Sequence, residues 1–327
     1  MSEKVMPSTR DDFVDVVKGV CIVLMVYGHI NFIGTLKNQQ VQIVEWIYTF
    51  HMPIFFLVSG MYFKWAGDVG DIGRRVLSRL VRPYLVFSLL YLSALWVFEN
   101  VFGVSSRNTP PQTAAAFFSN LVLNPIGGYW FLHAIIAIQI AFVVAGYVAG
   151  AVQARRLVIA FGLCVALTSA HIVEARAAIY FFLGLVVAGM GGASLVSNIG
   201  VGMLLVLIGA MGLQPGNLNV TLTQTCWVLG LLSVIAGLAQ IWGKALAVRA
   251  LGWMGRNTLA ILVLHAGGLL VARLVINKLG GGDAEGVFHV ALSMLLGLGG
   301  PIVAAMFFDR MKLSRHLFGV KHIYSRL

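Results

Sequence analysis

Charge is what this chain has least of. Of its 327 residues only 11% are Asp, Glu, Lys or Arg, where an ordinary soluble domain carries about a quarter. So few ionic side chains exclude a water-exposed globular surface. Acids are the scarcer sign, 12 against 23 Lys and Arg, for a formal charge of +11. Cysteine is also rare. Cys21, Cys164 and Cys226 sit in apolar stretches and form no motif, which excludes a disulfide scaffold. No His/Cys/Asp spacing of a closed metal site appears either, so no metal is expected. Internal repeats, low-complexity linkers and a separate soluble domain are missing. The apolar stretches do not alternate with polar residues, which excludes a membrane β-barrel. No small-residue cleavage site follows MSEKVMPSTRDDF, so the first apolar segment reads as a retained signal anchor.

What the chain does have is hydrophobic residues, 59% of the total, in blocks long enough to cross hydrocarbon. The expected fold class is all-α: a polytopic integral membrane bundle of about ten transmembrane helices, forming one domain over 1–327. The spans fall at about 13–33, 46–63, 83–102, 129–150, 157–170, 178–190, 195–213, 222–242, 257–276 and 287–308. A short apolar piece near Ala114–Leu123 is expected to lie in the membrane interface. With that count and a cytoplasmic N-terminus, the basic residues segregate. Lys4, Arg10, the Lys64–Arg82 connection and the tail at 309–327 fall inside, while Lys37, Arg107, Arg176 and Lys278 alone fall outside. The asymmetry places both termini in the cytoplasm. It also accounts for the basic charge through topology and contact with membrane lipids, so no nucleic-acid partner is implied.

The stretch from Asp15 to His29, DVVKGVCIVLMVYGH, is the most informative. A charge near the bilayer centre costs at least about 2.5–3.5 kcal/mol. Yet Asp15, Lys18 and His29 all lie in the first apolar segment. Asp15 and Lys18 are neighbours on a helix face. Lys18 and His29 share that face about 16 Å apart along the axis. A snorkelling lysine with its neutralising acid is the plain alternative. The in-line imidazole points instead to a functional stripe.

His29, His51 and His133 are expected at comparable depth near the outer side, where they could meet around one cavity and supply a general base. His265 in LVLH either faces that cavity or satisfies a carbonyl in helix packing, and packing is the favoured reading. Trp130 fits an aromatic belt. Glu174 and Arg176 either bind an acceptor or form a surface ion pair worth little. At the inner mouth, Arg75, Arg79 and Arg82 fall on one helical face by i+4 and i+3 spacing. Arginine is well suited to phosphate. Ser59 offers a hydroxyl near the same level, though helix packing explains it equally.

Several of these patterns occur together and in order: Lys18-(ten residues)-His29, FHMPIFFLVSG, Arg79-Leu-Val-Arg82, YWFL and GRNTLAILVLH. The chain resembles the acyltransferase-3 family of integral membrane O-acyltransferases, and its FHMP form is similar to the fucose O-acetylase-like branch. The resemblance implies transfer of an acetyl or other acyl group from cytoplasmic acetyl-CoA (acyl-CoA) to a sugar hydroxyl. The acceptor would be a cell-surface or exported glycan or its lipid-linked precursor, at the bacterial inner membrane. It assigns His29 as the essential imidazole, Lys18 as its basic partner with Asp15 beside it, and Arg79 and Arg82 as donor-phosphate contacts, with Arg75 and Ser59 nearby. His29 would either deprotonate the acceptor hydroxyl or carry the acyl group briefly itself. His51, Trp130, His133 and Glu174 are the candidates for the acceptor side. Polysaccharide-synthesis machinery is a conceivable partner. The competing class is a transporter or flippase for a glycolipid or small anion. The absence of matched interrupted helix pairs in two halves of the chain weighs against it.

Overall fold

The computed structural model describes residues 12–101, 108–150, 152–192, 196–216, 218–279 and 283–326. The expectations for Lys4, Arg10, Arg107 and the signal-anchor start fall outside these ranges. Among the described residues all regular structure is helical and no strand occurs. That is the outcome expected where no water is present to satisfy backbone groups.

In chain order the elements are α1 (Asp12–Gly28), α2 (Lys37–Tyr48), α3 (His51–Met61), α4 (Val69–Val76), a π-helical segment (Leu77–Val81) and α5 (Arg82–Asn100). There follow α6 (Ala114–Val122), α7 (Tyr129–Ala149), α8 (Gln153–Ser169), α9 (Ala175–Gly189) and α10 (Ile199–Ala210). The last are α11 (Leu222–Ile241), α12 (Leu246–Arg256), α13 (Thr258–Leu279), α14 (Val287–Arg310) and α15 (Ser314–Leu317). Among the described residues, six helical stretches are long and apolar enough to cross a membrane: Lys37–Met61, Val69–Asn100, Tyr129–Ala149, Leu222–Ile241, Thr258–Ile276 and Val287–Arg310. Large apolar side chains such as Val158, Leu207, Leu295 and Val303 face outward, as lipid contact requires.

α1 occupies the middle of the bundle. It touches α2, α3, α11, α12, α13 and α14, and Cys21, Ile22 and Val26 on it are fully buried. Its near half lies backbone to backbone on α12, a helix the sequence reading did not anticipate. A β-carbon on Gly19 would stand 1.9 Å from the Leu251 carbonyl oxygen, and one on Gly255 1.7 Å from that of Asp15. α3 and α9 cross in the same way at Gly60 and Gly184. Small residues at crossings substitute close van der Waals packing for a hydrophobic force that lipid cannot supply.

The first three spans differ from their expected form, and prolines shape two of them. The second, expected as one segment at 46–63, is split into α2 and α3 with the break at Thr49–Phe50. Pro53 has no N–H for the Thr49 carbonyl, and Gln224 Nε2 donates to that carbonyl instead at 3.2 Å. Trp227 Nε1 donates to the Thr49 hydroxyl, which in turn donates to Trp46 O. The third span starts earlier than Pro83, since helix already runs from Val69. Pro83 lies in the first turn of α5 and Arg82 N–H reaches back to Leu77 O, so one extra residue is accommodated as a π bulge. The first span is shorter than expected, ending at Gly28, whose carbonyl accepts from Tyr48 Oη at 3.1 Å.

A β-carbon on Gly184 would lie 2.1 Å from Leu57 O, so Gly184→Ala should destabilise the bundle by about 1–3 kcal/mol. Gly162→Ala, at a helical glycine with nothing within 4 Å, should leave stability level or slightly raised. Thermal unfolding of both variants in detergent checks the contrast.

Candidate active site

The sequence stripe on α1 is held at both ends. At one end Asp15 is buried and Lys18 Nζ lies 3.8 Å from Asp15 Oδ1. At the other, His29 follows the last turn of α1, its N–H shared between Met25 O and Val26 O at 3.2 Å each. The chain beyond it is fixed from two sides, by Tyr48 on Gly28 O and by His289 Nε2 donating to Asn31 O at 3.1 Å. Gly34, at φ +78°, lets the chain turn tightly against Glu285 and Gly286. The imidazole of His29 therefore stands on a rigid support.

Two cavities meet at His29. The larger, about 540 Å³, lies among α5, α7, α13 and α14 and is mostly apolar. Phe87 and Phe308 border it toward one end of the bundle, and Arg273 and His289 toward the other. The smaller, about 200 Å³, is bordered by His51, Trp130, Glu174 and Arg176. His29, Tyr48 and Gly128 line both and so form the partition between them.

His265 stacks against His29 there, with ring centroids 5.1 Å apart and planes tilted by 30°. Its Nδ1 lies 2.8 Å from Leu262 O and 3.2 Å from Ile261 O. A carbonyl only accepts, so Nδ1 carries a proton, and in the neutral imidazole Nε2 keeps its lone pair. A β-carbon on Gly128 would stand 2.8 Å from His265 Cε1, 3.3 Å from His265 Nε2 and 3.7 Å from His29 Nε2. The two Nε2 edges converge on the space that this glycine leaves open. α7 is tied to α13 at the same level by Tyr129 Oη donating to Val263 O at 2.7 Å.

His51, fully buried, is fixed in the same way by Nδ1–H to Ile47 O at 2.8 Å. Its Nε2 has no hydrogen-bond partner among the described residues. The Arg176 guanidinium hydrogen-bonds Glu174 and lies 5.6 Å over the Trp130 ring, a cation–π contact. Of the residues on the smaller cavity, His51, Trp130, Glu174 and Arg176 were singled out in the sequence, whereas Tyr48 and Gly128 were not. His133 and Ser59 border neither cavity. His133 donates from Nε2 to Val122 O at 2.8 Å and anchors α6, and Ser59 is half-buried on α3. His265, whose carbonyl bonds were expected, both satisfies those carbonyls and faces His29. Arg75, Arg79 and Arg82 are exposed at the Asp15 end of the bundle, with Arg79 inside the π segment.

The fold and site together define a helical membrane protein with a paired-histidine chamber in its interior. The family model described as an acyltransferase domain matches residues 11–306, and the chain belongs to this acyltransferase-3 family. It is also similar to the nodulation protein NolL of Sinorhizobium fredii, 29% identical over 140 residues, which cover 40% of this chain and 35% of that relative. The matched stretch thus spans about a third of the relative's length. No solved structure matches the chain.

Proposed function

We propose that the protein moves an acetyl or other short acyl group from cytoplasmic acyl-CoA to a sugar hydroxyl of an exported or cell-surface glycan, or of its lipid-linked precursor. The observation that carries this reading is the convergence of His29 and His265 where the larger cavity meets the smaller one, which holds His51 and the Glu174–Arg176 pair. In the accompanying topology α1, α8, α9 and α10 span the bilayer in addition to the six longer stretches, both termini are cytoplasmic, and the membrane is a bacterial inner membrane. The whole chain acts as one membrane domain.

In this reading Arg79 and Arg82, with Arg75 beside them, hold the donor's phosphates. Phe87, on the border of the larger cavity, stands about 7 Å along α5 from Arg82. In this reading the slim acyl-bearing arm of the donor runs from the arginines past Phe87 toward His29. The acceptor sugar sits in the smaller cavity, its ring against Trp130 and its hydroxyls toward Glu174 and His51. His133 acts at one remove by fixing α6, and Ser59 serves packing. The His29 imidazole takes the proton of the acceptor hydroxyl as that oxygen attacks the thioester carbonyl carbon. The carbon–sulfur bond breaks, and the thiolate leaves with the proton returned from the imidazolium. The Nε2 lone pair of His265 steadies His29 while it is charged. Asp15 neutralises Lys18, so the basic end of the stripe stays in place below.

With purified protein in detergent and radiolabelled acetyl-CoA, His29→Ala should lower thioester cleavage roughly a hundredfold or more. Unchanged cleavage removes His29 from the mechanism. Gly128→Ala puts a methyl group into the gap between the two rings, and His265→Gln takes the second imidazole away. Both should reduce kcat with little change in the KM for acetyl-CoA. A rise in KM alone would make His265 a donor-binding group and not a partner of His29.

A further inference from the structure

The last described residues are not a free basic tail. They fold back across the end of the bundle that carries Asp15 and the arginines, and almost every turn is tied down. Asp309, at the end of α14, accepts from Ser314 Oγ at 2.5 Å, Ile323 N at 2.9 Å and Tyr324 N at 3.0 Å. Ser325 exchanges two hydrogen bonds with the Asn257 side chain, at 2.8 and 3.0 Å, and also accepts from Trp253 Nε1 at 2.9 Å. Phe318 is fully buried, with its ring 5.0 Å from that of Phe87. Gly319, at φ +68°, runs so close to the π segment that a β-carbon there would lie 2.4 Å from Ser78 O. Arg82 Nη1 donates to Arg315 O at 3.2 Å.

This docking lays the strap along Ser78–Arg82. The side chains of Arg79, Arg82, Arg315 and Lys321 are exposed. Among the described residues none of the four forms a salt bridge. Asp309, at the end of α14 beside the strap, has its carboxylate engaged by the Ser314 hydroxyl, by the Ile323 and Tyr324 N–H groups and, at 3.9 Å, by the His322 ring. A positive-inside bias requires only that cations be on the cytoplasmic side. It does not require that they be folded into an array by a strap fixed at several points. Like charges held together without carboxylates repel one another, and a polyanion relieves that.

We propose that residues 311–326 form one wall of the donor's phosphate site, with Arg315 and Lys321 closing on the phosphates of coenzyme A from the side opposite Arg79 and Arg82. The assignment rests on the acyl-CoA reading above and extends it to a segment that lies beyond residues 11–306, the part matched by the family. Phosphate is the shared chemistry of two ligands here, the nucleotide and an anionic lipid headgroup, and the strap is assigned to the nucleotide.

The test titrates free coenzyme A into the full chain in neutral-lipid nanodiscs, by calorimetry. In Arg315→Ala plus Lys321→Ala the strap should stay docked, because the hydrogen bond from Arg82 goes to the Arg315 backbone carbonyl. Affinity should drop about tenfold or more, with an unchanged melting temperature and recovery in Arg315→Lys plus Lys321→Arg. Unchanged affinity in the double alanine variant, alongside a loss in Arg79→Ala plus Arg82→Ala, overturns the strap assignment and leaves the donor reading intact. Absence of coenzyme A binding by the unsubstituted protein overturns the donor reading itself. If the double alanine variant loses only its binding to phosphatidylglycerol vesicles, the strap is a lipid contact and the assignment fails.

Discussion

The close seating of α1 against its neighbours is the constraint on which the rest of the structure depends. With Gly19 and Gly255 bare, the near half of α1 meets α12 at backbone distance. The far end is held by Tyr48 from α2 and His289 from α14. A helix supported in this way has no freedom to roll. Both polar features it carries, the Asp15–Lys18 pair and His29, are therefore fixed in azimuth and depth. A bundle closed by side chains alone, with flexible leucines at the crossings, would leave the imidazole several accessible orientations.

The position of His265 follows from the same arrangement. α13 and α14 share a bare crossing at Gly268, where a β-carbon would lie 2.2 Å from Leu296 O. Tyr129 ties α13 to α7 within two residues of His265. The two imidazoles thus come from helices that are each fixed independently, and Gly128 provides the opening between them. In a low-dielectric interior, groups set beforehand in this manner need little reorganisation when charge develops. That is the physical advantage of building a transfer site between helices instead of on a loop.

The helical membrane class was legible in the chain because scarcity of charge and length of apolar runs are properties of single segments. His29 stood out for a similar reason, since an ionisable group at membrane depth is costly wherever it occurs. Other parts depend on which helices touch, and one sequence does not encode that in any local pattern. Gly128 looks like any glycine before an aromatic cluster until His265 is brought beside it. Arg156 is buried with its guanidinium on the carbonyls of Trp65, Gly67 and Gly150, partners that no local pattern around it announces. The splits at Thr49 and Leu77–Val81 were half legible. Proline predicts that a backbone bond is lost, but not that Gln224 from a distant helix restores one and a π bulge absorbs the other.

The two cavities meeting at His29 bear on a problem any acyl transfer inside a membrane must meet. A thioester is open to hydrolysis, so a catalyst that activates hydroxyls also threatens to activate water. In the proposed arrangement the donor arm arrives through an apolar cavity, while the acceptor enters a smaller one lined by His51, Trp130 and the Glu174–Arg176 pair. His29 borders both cavities, at their partition, and His265 borders the larger one beside it. An acceptor that fills the smaller cavity displaces the water that would compete with it, so occupancy of one cavity protects the contents of the other. Selectivity for a sugar hydroxyl over water then comes from filled volume, and the imidazole pair itself need not discriminate.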